Sequence, residues 1–118
     1  MELSRKRRMR DWSEFQKVRE KGTSASGRYL VIAAHPDPTL DDRRFGLITS
    51  KKAARKAVTR NLLRRRFREI IRKWGAHLPD KHRFVTIARF RAPGASFQEL
   101  EADWIKTAKR LKLWTEEG

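Results

Sequence analysis

The sequence predicts an α/β fold, a two-layer sandwich in which helices pack on a small mixed sheet of three to four strands. Three observations carry this. Segments 28–36, 43–50 and 82–90 are short runs rich in β-forming residues. Segments 11–21 and 56–74, and the stretch that begins at 97, repeat apolar residues at helical spacing. The order helix, strands, helix, strand, helix is one that a chain buries by laying helices on a sheet.

Residues 1–10, MELSRKRRMR, place Arg5, Lys6, Arg7, Arg8 and Arg10 in one like-charge run. Such a run reads as a basic, mobile N-terminal arm ahead of a single domain over 11–118, with a solvated tail as the plainer alternative. From Asp11 the pattern turns helical. Trp12, Phe15 and Val18 share a side, Asp11 and Glu14 have capping-box spacing, and Gly22 supplies a stop.

Thr23 to Ser26 can add a short edge strand before RYLVIAAHP, 28–36, which ends at the turn Pro36-Asp37-Pro38. The short connection to RRFGLITS, 43–50, suggests that these two strands pair antiparallel. In HRFVTIARF, 82–90, Val85, Ile87 and Arg89 fall on one face and Phe84, Thr86, Ala88 and Phe90 on the other. After the loop Arg91 to Gly94, Ser96 and Glu99 form a capping box for a last helix. Its stripe Phe97, Leu100, Trp104, Ala108 and Leu111 docks on the sheet.

The chain of 118 residues is long enough for one core. A formal net charge of +16 makes the compact state repel itself and calls for a polyanionic partner, nucleic acid first. Absence of Cys excludes disulfides, thiolate metal sites and thiol nucleophiles, and fits a reducing compartment such as the cytosol. Asp11, Ser13, Glu14 and Gln16 deny the basic N-terminus the apolar stretch of a signal peptide, so export is not expected. No window approaches the roughly 18 apolar residues of a membrane span. His35, His77 and His82 have no carboxylate or second histidine at metal-ligand spacing, and no nucleophile–base or paired-carboxylate arrangement stands out. Catalysis by the polypeptide itself is therefore not expected.

The densest feature is KAVTRNLLRRRFREIIR, 56–72, where Lys56, Arg60, Arg64, Arg65, Arg66, Arg68 and Arg72 meet the lone acid Glu69. Projected at about 100° per residue, Leu63, Phe67, Ile70 and Trp74 form one narrow arc with Ile71 at its border. Asn61, Arg64, Arg65, Arg68 and Arg72 form a second arc, with Arg60 at the edge between them. Arg rather than Lys dominates the polar arc. A planar guanidinium bridges phosphate oxygens in pairs and stacks on bases, where an ammonium is a point charge. Asn61 is a poor helix former with two donors and an acceptor, which suggests a contact either to RNA or to a neighbouring loop. A merely solvated amphipathic helix would leave these like charges unscreened.

Lys56-Ala57-Val58, then Arg60-Asn61, Arg64-Arg65 and Arg68-Glu69, resembles the signature helix of the bacterial ribonuclease P protein component. Around it the family's other parts stand in order: EFQKVREKG (14–22), a strand pair running into Thr49-Ser50-Lys51-Lys52, FVTIAR (84–89) and a closing helix. The resemblance covers nearly the whole chain. It implies a sheet-and-helix RNA-binding domain over 11–118 with a left-handed βαβ crossover, a hand that pattern alone does not give.

The resemblance further implies a bacterial cytoplasmic accessory subunit without catalytic residues or a metal site of its own. The RNA partner cleaves precursor tRNA with Mg²⁺, and no cofactor of the polypeptide is expected. Carried over by position, Lys51, Lys52, Lys56, Arg60, Asn61, Arg64, Arg65, Arg68 and Arg72 would bind the catalytic RNA. The 5′ leader of precursor tRNA would lie in a cleft between the first helix and the sheet. Phe15, Lys17, Arg19, Tyr29, Val31 and Ala33 would line that cleft, where stacking with basic flanks suits a single strand of any sequence. The chain departs from the family at Arg19 and Ala33, where relatives often carry aromatics; a guanidinium at 19 can still stack on a base. Core packing of Phe15 with Trp12 is the plainer alternative at that position. A structural RNA-binding protein of ribosomal type is the rival reading. DNA binding is disfavoured because no helix-turn-helix spacing sets a second helix beside 56–74, and a membrane partner because the charge is spread over several elements.

Overall fold

A computed structural model describes residues 1–116. Helix α1 (Trp12–Lys21) leads into β1 (Thr23–Ser26), β2 (Leu30–Pro36) and β3 (Arg44–Ile48). Helix α2 (Ala57–Trp74), β4 (His82–Ala88) and α3 (Phe97–Arg110) follow. The sheet is mixed, in the order β1-β2-β4-β3, with β2 antiparallel to β4 and β3 parallel to it. Helix α2 is thus the crossover of a βαβ unit between parallel neighbours β3 and β4.

This corrects the expected pairing of β2 with β3, because β4 lies between them. The connection over 37–43 is long enough to step across one strand, about 10 Å at ordinary strand spacing. It is fixed over the start of β4. The Asp37 N–H donates to the Lys81 carbonyl at 2.8 Å, and the Lys81 N–H donates to that of Asp42 at 3.0 Å. Lys81 takes φ 56° to make both bonds. Strand β4 wins the central place because both its faces are buried, with Phe84, Val85 and Thr86 in succession inaccessible.

Helices α2 and α3 cover one face of the sheet. Leu63, Phe67, Ile70 and Ile71 from α2 and Leu100, Trp104 and Ala108 from α3 pack on Leu30, Ile32, Phe45, Phe84 and Ala88. The arc read from 56–74 and the stripe read from 97 are therefore both core. The Trp104 indole N–H donates to the buried Thr86 hydroxyl at 3.1 Å, so the largest core side chain buries no open donor. Ser96 and Glu99 form the expected capping box on α3.

Helix α1 lies on the opposite face, where Val18 packs on Ala33 and Val85. Its expected capping box does not form: Asp11 makes no side-chain cap. Glu14 turns instead to the sheet, accepting from Arg83 Nε at 2.8 Å and from Arg44 at 3.2 Å. Charge-assisted bonds to a mostly buried guanidinium outweigh a bond to an exposed backbone amide. Arg83 also donates to Asp37, so one arginine joins α1, β4 and the 37–43 connection. The basic run 1–10 lies along the edge of β3. Arg8 bridges Phe45 in parallel, the Met9 N–H donates to the Phe45 carbonyl at 2.8 Å, and Arg7 pairs with Asp42 at 2.6 Å. Its anchors are the apolar residues between the charges, Leu3 and Met9.

Candidate nucleic-acid interface

Helix α2 separates its arginines by task. Arg66 donates to the Ala95 carbonyl at 3.0 Å and ties the helix to the turn before α3. Arg60 donates from one nitrogen to the carbonyls of Ala54, at 3.0 Å, and Arg55, at 2.8 Å, and so stitches down the lead-in loop that carries Lys51, Lys52 and Lys56. All three lysines are exposed. Asn61, next to Arg60, is exposed, and its amide has no hydrogen-bond partner among the described residues. The loop-ordering role belongs to Arg60, and Asn61 is left open to an outside partner.

Arg65, Arg68 and Arg72 stand exposed on the same arc, and Arg64 is partly buried at its border. Arg72 pairs with Glu69 at 3.0 Å, but both side chains are more than half exposed, so water screens most of that attraction. The arc is a guanidinium face with little internal neutralisation.

Beside it lies Phe15. Its ring covers Gly46 of β3 so closely that a Cβ at 46 would stand 2.5 Å from Phe15 Cε1. Two hollows flank the ring over the open side of β3. One, of about 180 Å³, is lined by Arg8, Met9, Phe45, Leu47, Arg64 and Arg68. The other, of about 240 Å³, is lined by Trp12, Ile48, Thr49, Ser50 and Arg64. Phe15 and Arg64 line both, so the aromatic of α1 and the arginine face of α2 meet across one edge strand.

The structure brings together Phe15, Arg64 and Arg68, but not every residue expected with them. Lys17 and Arg19 are exposed on α1, outside both hollows, with Arg19 one turn beyond Phe15. Ala33 is buried beneath Val18, and Val31, two residues before it on β2, lies on the same sheet face. Tyr29 leaves that face: its hydroxyl donates to Glu99 at 3.0 Å and its N–H to Asp103 at 2.8 Å, both on α3. The floor beside Phe15 comes from β3, because β4 separates β3 from β2. Trp12, Ile48 and Thr49 were not expected in the site. The available signal was the spacing of Trp12 and Phe15, one helical turn apart. His77 and His82 are engaged with the carbonyls of Thr115 and Asp80.

The family described as Ribonuclease P matches residues 3–112. The chain belongs to the ribonuclease P protein family. It is similar to the ribonuclease P protein component of Syntrophomonas wolfei, 38% identical over 112 residues that cover 95% of this chain and 92% of the relative. With that of Thermus brockianus it is 42% identical over 99 residues, covering 84% of this chain but 56% of the longer relative. The ribonuclease P protein structure from Staphylococcus aureus superposes with a TM-score of 0.84 at 26% identity, over 92% of this chain and 98% of that one. Family membership makes the chain an accessory protein component of an endoribonuclease, with the mixed sheet and three helices of its structural relatives.

Proposed function

We propose that the chain binds the catalytic RNA of ribonuclease P through the arginine face of α2 and the 5′ leader of precursor tRNA through the groove beside Phe15. In this way it assists removal of the leader to give the mature tRNA 5′ end. The observation that carries this reading is the place of Arg64, which lines both hollows beside Phe15 while sharing an arc with Asn61, Arg65, Arg68 and Arg72. A strand stacked on Phe15 would then run beside the surface that holds the folded RNA.

The chain's task is electrostatic and positional. Two polyanions that approach each other repel, and guanidinium groups between them replace condensed counterions and lower the concentration of Mg²⁺ the assembly needs. Lys51, Lys52 and Lys56, held by the loop that Arg60 orders, extend the cationic surface at the head of α2. The polypeptide supplies no catalytic group in this reading, and the Mg²⁺ belongs to the RNA. The partners are RNA, neither DNA nor membrane, and the setting is the bacterial cytoplasm.

The test is reconstitution with a bacterial catalytic RNA at low Mg²⁺. The chain is expected to stimulate 5′ maturation and to bind leader-bearing precursor more tightly than mature tRNA. Binding that ignores the leader, with no stimulation, would overturn the proposal in favour of a structural, ribosomal-type RNA-binding protein.

A further inference from the structure

The chain doubles back after α3 and crosses the end of α2. Lys112 makes the turn at φ 61°, a left-handed conformation that a lysine rarely adopts. Leu111, Leu113 and Trp114 then pack against the core. His77, in the turn Gly75–His77 that follows α2, fastens the segment with both backbone and side chain. Its carbonyl accepts from the Thr115 N–H at 2.8 Å. Its Nδ1 lies 2.6 Å from the Thr115 carbonyl, and since a carbonyl only accepts, the imidazole donates. The same ring stacks on the Trp114 indole, with centroids 4.4 Å apart and planes within 3° of parallel. Closure also has costs: the left-handed Lys112, and a buried Trp114 indole N–H that has no hydrogen-bond partner among the described residues. Gains set against such costs leave the segment poised to open. What it covers is the last turn of α2. The Trp74 ring lies 5.7 Å from His77 and 6.4 Å from Trp114, and its indole N–H donates to Glu101 of α3 at 3.0 Å. Arg72, at the end of the arginine arc, is two residues before Trp74.

We propose that segment 111–116 is a strap coupled to the RNA-facing side of α2: closed, it orders the last turn of the helix and seats Arg72, and RNA held by that face keeps it closed. The inference rests on the reading of α2 as the catalytic-RNA surface. The coupling is one of order. Strap and RNA immobilise the same turn, so the first to act bears the loss of freedom and the second meets a turn already fixed. Linkage then makes the effect reciprocal: opening the strap weakens RNA by the factor by which RNA suppresses opening. His77 and Trp114 act as positioning residues, through Trp74, without touching RNA themselves.

The experiment is amide exchange on the full chain, free and bound to a bacterial catalytic RNA. In the free chain the amides of 113–116 should exchange faster than those of β4, because the strap opens locally. Bound RNA is expected to slow them by about fivefold or more, with the amides of β1 unchanged. His77→Ala should speed exchange in the strap and weaken catalytic RNA by about fivefold, and His77→Asn, which keeps a donor without the stacked ring, should recover part of both. In a double-mutant cycle with Arg72→Ala, the loss caused by His77→Ala should shrink, since the residue that the strap seats is gone. Lys112→Asn retains the left-handed turn and should leave the salt dependence of RNA binding as it is. A fall there by one phosphate's worth would make the strap an RNA contact and overturn the coupling. Equal slowing in β1 would reduce the effect to general relief of charge and overturn it too. Strap exchange indifferent to RNA, while Arg65→Ala still lowers RNA affinity, would overturn the strap and leave the α2 surface standing. No loss of RNA affinity in either Arg65→Ala or His77→Ala would overturn both.

Discussion

Phe15 of α1 rests on the bare backbone of Gly46 in β3, with no room for a Cβ between them. The contact fixes where the ring sits, and with it the boundary between the two hollows. Gly46→Ala must displace the ring or the helix. The expected cost is about 1–3 kcal/mol of folding stability, read from urea denaturation, as for other overpacked sites. Leader-dependent affinity should fall in parallel, since the ring can no longer hold its place. A variant that keeps wild-type preference for precursor over mature tRNA would show that the ring's position is immaterial.

Arg65 and Arg64 should behave differently although they are neighbours. Arg65→Ala removes an exposed guanidinium, so stability should change by less than about 0.5 kcal/mol while the salt dependence of catalytic-RNA binding falls by about one phosphate's worth. Arg64→Ala should weaken catalytic RNA and leader-bearing precursor together. In a double-mutant cycle with Phe15→Ala, measured on precursor tRNA, Arg64 is expected to couple and Arg65 to add independently.

Arg60 and Asn61 divide between fold and ligand. Arg60→Ala frees the carbonyls of Ala54 and Arg55 and should loosen the loop 51–56, seen as faster amide exchange there. RNA affinity should fall with it, because Lys51, Lys52 and Lys56 lose their fixed places. Asn61→Ala should leave that exchange and the stability unchanged and lower RNA affinity alone. Faster loop exchange in Asn61→Ala would assign the ordering role to the wrong residue.

The Glu14–Arg83–Asp37 cluster contributes to the response to acid. Burial raises the Glu14 carboxyl, but the hydrogen bonds and charges of Arg83 and Arg44 lower it by more, leaving it below its ordinary value. The hydroxyl of Thr39, the Arg83 guanidinium and the Thr39 amide hold Asp37 well below the usual carboxylate range. Both folded-state values lie below the unfolded ones. The stability these groups lend is therefore complete above about pH 5 and is lost as the pH falls through 4 and below. Glu14→Gln should cost about 1–2 kcal/mol at neutral pH and flatten the fall in Tm below about pH 5. A variant whose Tm tracks the wild type in parallel across that range would remove Glu14 from the acid response.

What could be read from the sequence was what depends on neighbours along the chain. The core stripe Leu63, Phe67 and Ile70, the opposite arc of arginines and the Ser96–Glu99 box all follow from helical spacing, and each is present. The Asp11–Glu14 box has the same local spacing and fails because Arg83, far along the chain, competes for the same carboxylate. Pairing of β2 with β3 failed for a like reason: a short connection sets the direction of the next strand but not whether a third, more apolar one will enter between them. That insertion moves the groove floor from β2 to β3. It is why Ile48 and Thr49 lie near Phe15.

One consequence follows from the place of Arg8 and Met9 on β3. An outer strand offers a row of unpaired amides and carbonyls to any strand that arrives, including one from another copy of the chain. Here the segment before α1 takes up the Phe45 carbonyl and puts cationic side chains along the rest, while the opposite margin of the sheet ends in the four polar or small residues Thr23–Ser26. The same run of charge thus also guards this edge of the sheet against pairing with a strand from another copy of the chain.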